Sequence, residues 1–154
     1  MDIGQNLNTE SIQHADPLPP LCVDPETSIR EVLVLLKQRR RGELLVCRGG
    51  VLVGIFTERD FLRLMARRQD LDAPIEHVMT RDPVTIRAED TVGQAVSSMS
   101  AHGYRRLPIV DPEGRPRGLV NIAGIIHWLV QHFPQAVYNL PPVPNPTTQE
   151  REGP

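Results

Sequence analysis

Two cysteines, three phenylalanines, two tyrosines and one tryptophan are all that 154 residues hold of those types, and neither sign of charge prevails. Each shortage excludes something. Cys22 and Cys47 are too few for the disulfide framework of a small secreted domain. They are expected as reduced, buried small hydrophobes in strands rather than as nucleophiles. Lys+Arg 17 against Asp+Glu 19 leaves a net charge of −2, which excludes chains that coat nucleic acid through counterion release, and no DNA partner is expected. The longest apolar runs, such as Val32 to Leu36, are far too short to span a bilayer, so no membrane attachment is expected. Met1 to Gln13 shows no basic segment followed by an apolar one, and the expected location is cytoplasmic. His14, His77, His102, His127 and His132 have no metal-ligand spacing, and no G-x-S-x-G, Walker loop or G-x-G-x-x-G occurs. No metal, cofactor or enzymatic activity is expected from such a chain.

Prolines are plentiful, and they divide the sequence. Nine of the 15 lie in 1–20 and 134–154, which marks an extended N-terminal segment and a Pro-rich tail whose deletion should leave folding intact. The fold must come from the stretch between, and that stretch repeats itself. Ser28 and Glu31 meet Thr91 and Gln94 at an offset of 63, and each pair reads as a capping box at a helix start. Apolar positions 29, 32, 33 and 36 recur as 92, 95, 96 and 99, one helical stripe per copy. Gly54-Ile55-Phe56 then aligns with Gly118-Leu119-Val120, and Val46-Cys47 with Val110-Asp111, at an offset of 64.

Each copy therefore reads strand, capped helix, strand, turn, strand, helix. The expected elements are 21–23, 28–41, 44–47, 51–57 and 58–68, then 83–86, 91–102, 107–110, 117–121 and 122–133. Gly42 is expected to end the first long helix, and Asp111-Pro112-Glu113-Gly114 to form a type I turn. One copy of about 55 residues is too small for a dependable core, whereas two packed together suffice. The division is 1–20, repeat one 21–72, repeat two 73–133, and tail 134–154.

The strings Val78-Met79-Thr80-Arg81-Asp82-Pro83-Val84-Thr85-Ile86, Tyr104-Arg105-Arg106-Leu107-Pro108-Ile109-Val110-Asp111 and Gly54-Ile55-Phe56-Thr57-Glu58-Arg59-Asp60 carry a resemblance. In this order and spacing the chain resembles a tandem pair of CBS (cystathionine beta-synthase) domains, a Bateman module. The resemblance implies an α/β fold of two β-α-β-β-α units about a pseudo-twofold axis, with a cleft between the sheets. It further implies a non-catalytic regulatory module that binds an adenosine-containing ligand there: AMP, ADP or ATP, with S-adenosylmethionine or NAD as variants. The rival reading is a ligand-free CBS assembly module.

By that resemblance Thr57 and Asp60 hold the ribose, where the residues alone read as a helix N-cap. Arg105 or Arg106 approaches the phosphates, for which a guanidinium fork is suited. Val84, Thr85, Ile55 and Phe56 surround the adenine. The second copy departs from the pattern: Asn121 stands at the position of Thr57 and Gly124 at that of Asp60, so one nucleotide per chain is expected. A homodimer is also expected, with a regulated partner protein unidentified. Ile122, Ile125, Ile126, Leu129 and Phe133 form the stripe read as core, with Phe61, Leu62 and Met65 as its counterpart. Trp128 and Leu64 lie off it and are read as the dimer contact.

Overall fold

A computed structural model describes residues 7–132 of the chain. The Pro-rich tail and Phe133 lie outside the described residues. Repeat one runs β1 (Cys22–Val23), α1 (Ile29–Arg39), β2 (Glu43–Arg48), β3 (Val51–Thr57) and α2 (Glu58–Ala66). A 3-10 turn at Ile75–His77 and a short β4 (Thr80–Arg81) follow. Repeat two runs β5 (Ile86–Arg87), α3 (Val92–His102), β6 (Arg106–Val110), β7 (Pro116–Asn121) and α4 (Ile122–His132). The strands form a sheet of order β1-β2-β3-β4 and another of order β5-β6-β7. β1 and β5 pair in parallel with β2 and β6, and the hairpins β2-β3 and β6-β7 are antiparallel.

Local chemistry explains most element ends. Thr91 and Gln94 make the full capping box, with the Thr91 hydroxyl accepting the Gln94 N–H at 3.1 Å and the Gln94 amide oxygen accepting the Thr91 N–H at 2.8 Å. Ser28 accepts the Glu31 N–H at 3.1 Å. The Asp111–Gly114 turn closes by Gly114 N–H to Asp111 O at 2.9 Å, with Gly114 at φ +82°, a region that favours glycine. Gly42, however, does not end α1. Arg40 does, in the left-handed region at φ 53°, its N–H shared between the Leu36 and Lys37 carbonyls.

The strand register also corrects the repeat alignment. Glu43 pairs with Thr57 and Arg106 with Asn121, so β2 maps on β6 at an offset of 63, while β3 maps on β7 at 64. The extra residue therefore sits in the hairpin turn, and Cys47 corresponds to Val110.

Each repeat buries its own core. Ile29, Val32, Leu44, Val46, Phe56, Leu64 and Ile75 pack in repeat one. In repeat two Val92, Ala95, Met99, Leu107, Val120, Ile125 and Trp128 pack together with Ile12 and Ala15. The stretch before residue 21 is thus more than an extension. Leu18 bridges antiparallel to Leu119, as Thr80 pairs with Ile55 in repeat one. Leu45, Ile55 and Leu119 form a small cluster that joins the sheets near the pseudo-axis.

The final helices are rotated about their axes relative to the sequence reading. Trp128 is 2% exposed and Leu64 3%, whereas Ile126 is 54% and Leu62 67% exposed. The contact line follows an i, i+3 pair in each repeat, Phe61/Leu64 and Ile125/Trp128, which turns Leu62, Met65 and Ile126 outward. Trp128 and Leu64, read from the sequence as the dimer contact, are covered within the chain instead, which leaves little of either side chain for a second subunit.

Candidate functional site

β3 ends on Thr57 and α2 begins at once, which presents Glu58, Arg59 and Asp60 at the helix start. The Asp60 carboxylate is 4% exposed and receives three donors. One oxygen accepts the Thr57 N–H at 2.9 Å and the Thr57 hydroxyl at 3.3 Å, and the other accepts the Thr80 hydroxyl at 3.0 Å. Thr80 comes from β4, which pairs with β3 through Ile55. Sequence reasoning did not single it out, although it stands inside the Val78–Ile86 string.

These side chains line a cleft of about 490 Å³. Its other wall comes from repeat two: Tyr104, Arg105, Arg106 and Pro108, with Pro83 and Val84 from the connection. Volumes of roughly 300–1,000 Å³ are usual for small-molecule sites. Of the expected residues, Ile55, Thr57, Asp60, Val84, Arg105 and Arg106 all line the cleft. Phe56 does not. Strand side chains alternate faces, so with Ile55 toward the cleft Phe56 points into the repeat-one core, where it is fully buried. Thr85 is exposed and is not among the lining residues.

An ion-pair chain crosses between the repeats beside this cleft. Glu43, 4% exposed, accepts Arg41 Nε and Nη2 on one oxygen at 3.3 and 3.2 Å, and Arg106 Nε on the other at 3.1 Å. Arg106 Nη2 also pairs with Glu58. Glu43 and Arg106 occupy equivalent positions of the two repeats, so opposite charges meet across the pseudo-axis. A buried carboxylate of this kind needs its partners, because an uncompensated buried charge is strongly unfavourable.

The equivalent positions of repeat two carry different chemistry. Asn121 Oδ1 accepts the Gly124 N–H at 2.7 Å, a local helix cap. A Cβ on Gly124 would stand 2.9 Å from the Ala15 carbonyl oxygen, so glycine there allows the N-terminal segment to approach. Leu18 takes the place of Thr80, and Glu43 that of Arg106.

The cysteines lie in repeat one. Cys22 is exposed on edge strand β1, against the expectation of burial, while Cys47 is buried. Cys22 sits opposite Leu45, and Cys47 lies two residues further along β2. The hydrogen bond from Cys47 pulls the Cys22 thiol down to about 7, and the same contact pushes Cys47 up. No helix among the described residues is long and apolar enough to cross a membrane.

The comparisons agree with this architecture. The CBS domain family model matches residues 15–67 and 75–131. The chain belongs to the CBS domain family. The CBS domain-containing protein YhcV of Bacillus subtilis is 35% identical over 105 residues, covering 68% of this chain and 70% of that protein. An inosine-5′-monophosphate dehydrogenase of Aquifex aeolicus is 32% identical over 109 residues, 70% of this chain but 22% of the dehydrogenase. The chain thus spans under a quarter of that enzyme's length. Among solved structures, the CBS domain protein PAE2072 from Pyrobaculum aerophilum, complexed with AMP, superposes at a TM-score of 0.70 with 27% identity, covering 79% of this chain and 98% of that one. The CBS pair of MJ0100, in complex with 5′-methylthioadenosine and S-adenosyl-L-methionine, superposes at 0.69 with 26% identity, covering 76% and 97%. The tandem pair and its mixed α/β fold are therefore shown.

Proposed function

We propose that this CBS pair is a regulatory module that binds one adenosine-containing nucleotide, of the AMP, ADP or ATP class, in the cleft between its repeats. The observation that carries the reading is the juxtaposition, in one cleft, of a buried carboxylate from repeat one with Arg105 and Arg106 from repeat two. Asp60 has room for a ribose. A carboxylate offers about four lone-pair directions, of which three are used here, the longest by the Thr57 hydroxyl. One ribose hydroxyl takes the fourth direction, and the other replaces the Thr57 hydroxyl, which turns to accept or donate in its stead. Ile55, Pro83 and Val84 supply apolar surface for the base, and the guanidinium groups supply donors for phosphate. The AMP bound by PAE2072 and the adenosine compounds bound by MJ0100 support the same ligand class.

A ligand-free assembly role is the second reading, favoured by the satisfied state of Asp60. A thermal-shift and calorimetric series with AMP, ADP, ATP, S-adenosylmethionine and NAD separates the two. A nucleotide at 100 times its dissociation constant adds about 2.7 kcal/mol to stability, several degrees in Tm. The expected stoichiometry is one per chain, and Asp60→Ala is expected to abolish it. That variant also loses stability, by about 1–3 kcal/mol, because Thr57 and Thr80 lose a buried acceptor. No shift with any of the five compounds returns the protein to the assembly reading. We place the homodimer contact on the exposed Leu62, Met65 and Ile126.

A further inference from the structure

Arg106 is not a free phosphate ligand, because two carboxylates already hold it. Its Nε bonds Glu43, which is buried and fixed by Arg41. Its Nη2 pairs with Glu58, whose side chain is 66% exposed. Glu43 cannot leave without stranding a buried charge, but Glu58 can. Glu58 is the first residue of α2, where the helix dipole favours a carboxylate whether or not it touches Arg106. Swinging out to solvent therefore forfeits only the ion pair itself.

Gly42 makes room for this arrangement. Its backbone is not left-handed, and a Cβ there would collide with Glu58 Oε1 and lie 3.0 Å from Glu58 Cδ. Glycine at 42 lets the Glu58 carboxylate lie across the chain and reach Arg106. The obstructing atoms belong to the far end of a flexible side chain, so an alanine is accommodated by moving Glu58 rather than the fold.

Resting on the nucleotide reading of the cleft, we propose that Glu58 is a latch that competes with a ligand phosphate for Arg106, so that it sets how strongly the site favours phosphorylated over unphosphorylated adenosine ligands. With the latch closed, the charges of Glu43 and Glu58 offset those of Arg41 and Arg106. The exposed Arg105, Arg59 and Arg63 then remain as the attraction for an anion. A phosphate on Arg106 Nη2 displaces Glu58, and the freed carboxylate stands as a like charge beside it. Adenosine, which has no phosphate, leaves the Arg106–Glu58 pair in place. The latch thus weakens phosphate binding selectively and makes the position of Glu58 depend on ligand charge.

Calorimetric titration of full-length wild type, Glu58→Gln and Gly42→Ala with adenosine and with AMP tests this. A partly exposed ion pair contributes up to about 1 kcal/mol, or about fivefold, so AMP is expected to bind about 3–5-fold more tightly to both variants, with adenosine within about twofold. Arg106→Gln combined with Glu58→Gln should lose the gain. Unchanged or weaker AMP binding in Glu58→Gln overturns the latch, and so does an equal gain for adenosine. Both of those results leave the nucleotide reading standing. If neither compound binds wild type or either variant, the nucleotide reading and the latch fall together.

Discussion

Repeat one ends β3 on Thr57, places Asp60 in the first turn of α2 and closes over both with Thr80; repeat two ends β7 on Asn121, with Gly124 for Asp60 and Leu18 for Thr80. The hairpin registers match pair for pair up to the turn, so the backbone places these side chains alike. What differs is the use made of the position. In repeat one a buried carboxylate collects donors beside an open cleft. In repeat two a glycine accepts the backbone of residues 15 and 16, so the chain's own N-terminal segment seats against the helix. The repeated scaffold presents the same backbone geometry twice, and single side chains decide whether the position faces an open cleft or seats a piece of the chain itself.

The strongest test of equivalence is the core pair Trp128 and Leu64. Both occupy the inner face of the last helix of their repeat. Trp128→Ala should cost about 3–5 kcal/mol and Leu64→Ala about 2–5 kcal/mol, measured by denaturant unfolding. Their outward neighbours behave differently: Ile126→Glu should leave stability nearly unchanged and shift the protein toward monomer in light scattering. A Trp128→Ala variant as stable as wild type, with reduced mass, would put the indole in a subunit contact after all.

A smaller effect is expected at Gly124, where the repeats diverge most. Alanine in a helix is ordinarily better than glycine by about 1 kcal/mol. Here its Cβ meets a carbonyl oxygen at 2.9 Å, backbone that cannot rotate away. Gly124→Ala is therefore expected to destabilise by about 1–3 kcal/mol, as overpacking does. Hydrogen exchange should quicken at the Leu18 and Leu119 amides, which bond each other's carbonyls at 2.8 and 2.9 Å. A rise in Tm with those amides still protected would show that the N-terminal segment does not rest on Gly124.

How far these features were legible depends on the range of the interaction. The capping residues Ser28 and Thr91, the β3 and β7 strands and the Asp111–Gly114 turn are local, and the sequence states them directly. The ribose-site candidates Thr57 and Asp60 came from resemblance, and the cleft brings both to one wall. The sequence does not fix the phase of α2 and α4, because apolar residues such as Leu62, Leu64 and Met65 fall on more than one face, and only packing against the sheet selects Leu64. Thr80, Glu43 and Glu58 were missed as site neighbours for a related reason. Their partners lie 20, 63 and 48 residues away, and no spacing rule connects them. The Ile12–Ala15 stretch reads as an extension, because a short apolar pair among polar residues carries no period, yet it fills the repeat-two core.

The smallest expected effect lies at the cysteines, where repeat one again differs from repeat two. Register puts Val110 of repeat two in the place of Cys47, so only repeat one carries a thiol there. The buried Cys47 thiol donates to Cys22, which favours the Cys22 thiolate and holds its pKa near 7, while Cys47 is held protonated. An ordinary cysteine near pKa 8.5 is only about 3% thiolate at pH 7, against about half for one at 7. The sign for stability follows: the depressed Cys22 value favours the folded state above the unfolded pKa, and that contribution disappears as pH falls through 7. Iodoacetamide labelling of the exposed Cys22 across pH 5.5–9.5, read by mass spectrometry, should give a midpoint close to 7. Cys47→Val, which imports the residue of repeat two, should move the midpoint up by about one unit, toward the value of a free thiol. Equal midpoints near 8.5 in both proteins would mean that the two sulfurs do not share a proton, and the contrast between the repeats would then be one of packing alone.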